Sequence, residues 1–296
     1  MRLTHLRRTR RYGGDGESSV GRSEELKTLV ATAREAVERA RKEEAAAKEV
    51  AAAKAKLEQA ASLGKRLIKA AWAGQAEAVK ILVERGADLH ALDPNMWTAL
   101  HWAACNGHVK TTQMLVQLGA NKEAQQADGA MPLHYAAGRG LVTVVTLLEL
   151  GANVEARDGD QATCLHWAAG NGHVGAIEVL VEAGADMEAA TSSAVRPLHY
   201  AVRKGKVEAV QSLVQLGANK EGHDGGRLTA LQKAPSKGNA EMVLLLVALG
   251  VGVHAKNAKG ETALQSSVAK GQHEVARALT EVGKRMRVRE EQKCAQ

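Results

Sequence analysis

Residues 101–108 read HWAACNGH, which places two imidazoles and a thiol within eight positions. Those groups suit metal ligation or nucleophilic chemistry. A near copy, HWAAGNGH, begins at His166 and keeps both histidines while losing the cysteine. A ligand set that keeps its histidines and drops its thiol reads as a structural template. The three cysteines, Cys105, Cys164 and Cys294, are sparse and form no disulfide framework. Cys105 lies four residues after its histidine and Cys164 two before, so the thiols share no register. Closely spaced ligand pairs of the kind a zinc site needs are absent. So are a Gly-rich phosphate loop, an H-E-x-x-H pair and a G-x-S-x-G elbow. No catalytic residue, metal or cofactor is expected, and the chain is not read as an enzyme.

The elements around these histidines recur. Leu-His occurs at 100–101, 133–134, 165–166 and 198–199, and Leu-Gln continues the series at 231–232 and 264–265. Glycines at 86, 119, 151, 184, 217, 250 and 283 step by 33, with a single 32. The string LVQLGANKE appears at both 115–123 and 213–221. The chain is therefore an array of about seven units, at 60–92, 93–125, 126–157, 158–190, 191–223, 224–256 and 257–289. Each reads as a short Ala-rich helix, a turn, a second apolar-periodic helix and a loop. In the fourth unit Val174, Ile177, Leu180 and Val181 line one helical face, and Gly184 is placed to end the second helix. One unit cannot bury its apolar face alone; stacking makes the core continuous. Aromatics are only 2% of the chain, with no Phe, so that core must be built from closely packed Ala, Leu and Val.

The strings TALHWAACNGH (98–108), MPLHYAAGRG (131–140), TCLHWAAGNGH (163–173) and RPLHYAVRKG (196–205) carry a T-P-L-H-x-A-A-x-x-G-H pattern that resembles the ankyrin repeat. The resemblance spans about 60–286. It implies an all-α solenoid of L-shaped helix pairs with finger-like loops, which binds other proteins through finger tips and first helices. On that template His101, His108, His134, His166, His173 and His199 are structural. Met131 and Arg196 replace the motif threonine, which removes a hydroxyl partner from His134 and His199, and Gln232 and Gln265 replace the histidine. Pro235 falls in the first helix of the sixth unit and should kink or shorten it. The third unit is one residue short between Gly140 and Gly151.

Ahead of the array, residues 23–60 form a long helix without Gly, Pro or aromatic residues, with Ser23 as its expected N-cap. Leu26, Val30, Ala33, Val37 and Ala40 follow heptad spacing, which then falters at Glu44. A solvated single helix, a weak coiled coil that self-associates or takes a partner, and packing back on the first unit all stay open. Residues 1–22 are expected to be a basic disordered tail and 290–296 a C-terminal tail. The basic start leaves mitochondrial targeting by residues 1–12 as a minority alternative to a cytoplasmic or nuclear location. No apolar run is long enough to cross a membrane, so no membrane insertion is expected. The net charge of +7 sits mainly at the two ends, which argues against a nucleic-acid groove along the whole array.

Candidate contact residues follow from the register. Trp102, Tyr135, Trp167 and Tyr200 sit directly after the motif histidines; they are either packing between first helices or a partly exposed ladder for a partner. Trp97 at a finger tip and Trp72 on the first helix of unit one are less easily explained by packing. The two positions before each mid-unit glycine are expected at the exposed end of the first helix. They include Asn106, Arg139, Asn171, Arg203, Lys204, Lys237 and Lys270, with Arg227 adding to them from a finger. Glu123, Glu155, Glu188 and Glu221 recur at the finger bases and could compensate that charge. The expected function is a non-enzymatic scaffold or adaptor that binds unidentified proteins, including one with an acidic extended segment. The alternatives are a targeting subunit that recruits a ligase, phosphatase or chaperone complex, and a nuclear factor with basic ends near nucleic acid.

Overall fold

The computed structural model describes residues 18–140, 142–234 and 240–294. The expectations for residues 1–12, Pro235 and Lys237 lie outside them. The chain divides into two compact units, Met1–Gln59 and Ala60–Gln296.

In the first unit the described backbone is a single helix, part of α1 (Ser18–Trp72). It begins five residues before the expected cap at Ser23, so residues 18–22 of the expected tail are helix. It also runs through residue 60 without a break, because no proline interrupts it and its sequence is rich in Ala, Glu and Lys. Residues 44–48 spell EAAAK, and Lys48 Nζ reaches Glu44 Oε1 at 2.7 Å. Val37, Val50 and Leu57 are exposed.

In the second unit, α2 (Ala76–Glu84) is followed by α3 (Ala99–Cys105), α4 (Val109–Gln117), α5 (Pro132–Arg139), α6 (Thr143–Glu149), α7 (Cys164–Asn171) and α8 (Val174–Glu182). Then come α9 (Pro197–Lys204), α10 (Val207–Gln215), α11 (Ala230–Lys233), α12 (Ala240–Ala248), α13 (Ala263–Ala269) and α14 (His273–Cys294). First helices stack in one row, α3 to α5 to α7 to α9 to α11 to α13, and second helices in another, α4 to α6 to α8 to α10. Each first helix also packs on its own second helix, as α7 does on α8. Among the described residues there is no strand, only an isolated bridge between Arg157 and Thr163.

Local chemistry explains the elements. First helices are short and Ala-rich, and Ala103, Ala104, Ala136, Ala137, Ala168 and Ala169 are buried at the row's centre, where a larger side chain would push the helices apart. Second helices bury one aliphatic stripe, Ala176, Ile177 and Leu180 in α8. At the end of α8 Gly184 adopts φ +93° and its N–H bonds Val181, while Ala185 N–H bonds Leu180, a Schellman closure. α6, in the short third unit, has seven residues against nine in α4 and α8. α11 has four residues, against seven or eight in the other first helices. α14 runs to Cys294, so the expected tail from 290 is mostly helix.

The fingers join consecutive pairs. In the finger before α7, Asp158 and Ala162 pair through their backbones and Gln161 N–H bonds Asp158 O. Gly159 N–H bonds Asp128 O of the preceding finger, and Ser192 N–H bonds Asp160 O of this one. The tip position is left-handed. Gly129 and Gly260 occupy it freely, but Met96 (φ 63°), Gln161 (62°), Ala194 (53°) and Arg227 (56°) carry a Cβ there. A left-handed non-glycine residue costs roughly 1–2 kcal/mol, against about 0.5–1 kcal/mol of chain entropy for glycine. Met96→Gly and Gln161→Gly are therefore expected to stabilise the array by about 0.5 kcal/mol each, roughly 2 °C in thermal unfolding. A drop in melting temperature for both would contradict the strain.

Candidate partner-binding surface

The first-helix row is framed by a buried histidine column. Thr98 N–H donates to His101 Nδ1 at 3.2 Å, and the Thr98 hydroxyl lies 2.9 Å from the same atom. Nδ1 is thus an acceptor, the proton sits on Nε2, and Nε2–H donates to Ala130 O of the next finger at 3.3 Å. The same bond runs from His134 to Ala162 O, from His166 to Val195 O and from His199 to Gly222 O. At Met131 and Arg196 the hydroxyl is lost as expected, yet their backbone N–H groups still donate to Nδ1 of His134 and His199. Gln232 copies the arrangement: Oε1 accepts from Thr229 N–H at 3.0 Å and Nε2 donates to Ala255 O at 2.8 Å. Burial pushes all four imidazoles below their ordinary pKa, to about 4 at His166 and also at His199, where the Lys233 charge adds to it. His108 and His173 are structural in another way. Their Nε2 atoms reach Trp72 O and Gly138 O, and their rings lie over Gly74 and Gly140, where a Cβ would collide.

The neutral imidazole is the form the fold selects, so unfolding takes up protons. The column's contribution is complete above pH 6.5 and declines as pH falls from 6.5 towards 4. His166→Gln should hold the fold within about 1 kcal/mol of wild type. His166→Leu strands the Thr163 N–H and the Val195 carbonyl and should lose roughly 2–4 kcal/mol in denaturant unfolding. Replacing all four histidines by Gln should flatten the acid decline. An unchanged decline would place its origin elsewhere.

The aromatic column packs within the array. Trp102 Nε1–H donates to Asp93 Oδ2 and Trp167 Nε1–H to Asp158 Oδ2, both at 2.9 Å. Each aspartate uses Oδ1 to accept N–H groups of its own finger. At the next aspartate in register, Asp224, the partner is Lys233 Nζ at 2.7 Å, in the place of the indole. Burial alone would raise the Asp224 carboxyl, but the Lys233 ammonium together with the Leu228 and Gly226 N–H groups outweighs it and holds it below the usual range. Tyr135 and Tyr200 occur where the finger position is Gln126 or Thr191, which cannot offer a carboxylate. The sequence reading missed these aspartates, although a nine-residue Asp-to-Trp spacing repeated at 93/102 and 158/167 was there to find.

The expectation that packing does not explain Trp97 is corrected. Its ring centroid lies 4.5 Å from Trp102 and 4.3 Å from Tyr135, and the residue is half-buried between them. Trp72 is 54% exposed, so it stands apart from this cluster. The positions before the mid-unit glycines also need correction, since the first of each pair turns inward in the middle of the array. Cys105 and Gly170 are buried, and a Cβ on Gly138 or Gly170 would meet Trp167 at 3.0 Å or Tyr200 at 3.2 Å. These small residues make room for the aromatic of the following helix. Asn106 spends its amide on Trp72 O and Asn171 on Trp167 O. Arg139, Lys204, Lys270 and Arg227 are exposed, and Arg203 lies with its guanidinium carbon 4.6 Å from the Tyr200 ring centroid.

Among the described residues the glutamate row meets one first-helix charge, Glu188 Oε2 lying 3.1 Å from Arg196 Nε at the cap of α9. Glu123, Glu155, Glu188 and Glu221 accept the N–H of Asn153, Asp186, Asn219 and Gly252 in the following unit. In the repeated LVQLGANKE strings, Lys122 and Lys220 bond Leu150 O and Leu249 O beside them. Among the described residues no cluster of three His, Cys, Asp or Glu side chains could hold a metal. Burial also raises the Cys164 thiol well above its ordinary pKa, which leaves it a poor nucleophile.

A sequence profile described as "Ankyrin repeats (3 copies)" matches residues 67–158, 150–224 and 218–290. The crystal structure of the human ASB11 ankyrin repeat domain is similar, with 29% identity and a TM-score of 0.63 over 73% of this chain and 96% of that one. The ankyrin repeat domain of Bcl-3, a member of the IkappaB family, gives 28%, 0.62, 72% and 97%. Comparison with curated proteins finds no match. With that profile covering most of its length, and with a histidine column, paired helices and fingers in register, this chain belongs to the ankyrin-repeat family, whose repeats form a protein–protein interaction domain.

Proposed function

We propose that this protein is a non-enzymatic scaffold or adaptor that binds partner proteins through the surface made by its first helices and finger tips. One observation carries the reading. The side chains that hold the array together, the histidine column and the glutamate clamps, all bond inward, while Trp72, Arg139, Lys204 and Arg227 point to solvent at variable positions of the same frame. A rigid frame with free variable positions suits recognition with little rearrangement. The proposed location is the cytoplasm or nucleus, and the partner set is protein.

Capture of partners by full-length protein, quantified by mass spectrometry, tests this. Trp102 is a poor probe because its loss unfastens Asp93, so the informative variant is Trp72→Ala/Arg139→Ala/Arg203→Ala/Lys204→Ala. Its partners are expected to fall away while its thermal unfolding stays near wild type. Full retention would exclude this surface.

A second reading, that of a targeting subunit, is favoured by α1. Its exposed Val37, Val50 and Leu57 offer a second attachment point, to a recruited enzyme or chaperone complex or to a second copy of the chain. Deleting residues 1–59 should then remove one class of partner and leave the repeat-bound class. Loss of neither class counts against targeting.

A further inference from the structure

Acidic residues are segregated between the two helix rows. No first helix carries an acidic residue: α3, α5, α7, α9, α11 and α13 contain neither Asp nor Glu. Residues 60–72 of α1 are likewise free of acid and carry Lys65, Arg66 and Lys69, all exposed. Second helices hold the carboxylates, among them Glu77, Glu178, Glu208 and Glu241. Most carboxylates that approach the first-helix row are already engaged; Asp128, near Tyr135, accepts the Ala130 N–H with Oδ1 and stays exposed. Asp93 and Asp158 hold indoles, Asp224 holds Lys233, and the finger-base glutamates hold backbone N–H groups. Among the described residues no ion pair involves Arg139, Arg203 or Lys204.

This one-sided field rests on the adaptor reading and sharpens it. We propose that the first-helix row recognises an extended, acidic peptide segment, with carboxylates seated at Arg139 and at Arg203/Lys204. Arg139 and Lys204 occupy the same register position, each directly before its helix's terminal glycine, on α5 and α9 with α7 between them. Helices pack ~8–10 Å apart, so these two sites lie roughly 20 Å apart. An extended chain rises ~3.3 Å per residue, which spaces the two carboxylates about six residues apart. An even spacing also puts both on one face of the peptide. Between them the half-buried rings of Trp167 and Tyr200 supply an apolar ledge for the residues in the middle. Arg203 is held in place for this role. Its guanidinium stacks on Tyr200, and its Nε is shielded from solvent with no protein acceptor. Stacking orients the fork before a carboxylate arrives and leaves less side-chain freedom to lose on binding.

Selection of random displayed peptides on the full-length protein tests the proposal, followed by titration of the enriched peptides made synthetically. Enriched sequences should carry two acidic residues about six positions apart. Arg139→Glu/Lys204→Glu should weaken them by about tenfold or more, while Lys110→Glu on second helix α4 leaves affinity unchanged. A single-stranded oligonucleotide should compete poorly with them. Enrichment of neutral or basic peptides that the Trp72/Arg139/Arg203/Lys204 alanine variant still disrupts would overturn the acidic preference and leave the adaptor reading standing. Binders insensitive to every first-helix substitution, or no enrichment, would overturn both. An oligonucleotide that displaces the peptides at equal concentration would assign the charge to nucleic acid instead.

Discussion

The neutral imidazole that joins one helix pair to the next finger is the interaction on which the rest of this array depends. Each of His101, His134, His166 and His199 accepts the backbone N–H of its own helix cap at Nδ1 and donates from Nε2 across the unit boundary. One side chain thereby closes a helix N-terminus and fixes the distance to the next unit. That dual duty explains why Gln succeeds at 232, since an amide also offers one acceptor and a donor on one planar group. The same duty makes the column's expected response to protonation a property of its histidine-bearing units. A charged imidazole would have no lone pair left for the cap, and burial already disfavours the charge.

Around that column the structure satisfies the same positions by different chemistry. A finger carboxylate binds an indole at Trp102 and Trp167 and an ammonium at Lys233. The loop needs an immobilised Asp, and either donor supplies it. The ammonium version carries a buried charge pair, and such a pair contributes less than its Coulomb energy suggests because both ions give up hydration. The glutamate clamps add a second seam on the outer side of the fingers. They tie Glu123 through Glu221 to the following units, whereas His90 and His254 stand at the equivalent places near the ends of the array. Cohesion between units is therefore concentrated in the middle of the repeats.

This division of labour leaves the surface simple. With Asp93, Asp158, Asp224 and the finger-base glutamates committed to partners, the first helices themselves contribute only positive charge to that side. Glycines at 138 and 170 belong to the same economy of space, because each accommodates the aromatic ring of the next helix. What looks in the sequence like an aromatic ladder for a partner is in large part the array's own packing, and the free positions are the charged ones beside it.

The recurrence of Leu-His, the glycine step and the heptad-like stretch before the array were enough to read repeat, helix pairing and the long N-terminal helix. Periodicity is a local property, and every unit states it again. The structural role of the motif histidines was legible for the same reason. The inward turn of Cys105 and Gly170, the packing of half-buried Trp97 and the reach of Glu155 to Asp186 were not. Each depends on how far one unit is rotated against the next, and that rotation is set by close packing of small side chains across the boundary. Sequence by itself determined which positions repeat; only the tertiary structure decided which of them are spent on a neighbour, because a hydrogen bond between units exists only once the units are stacked.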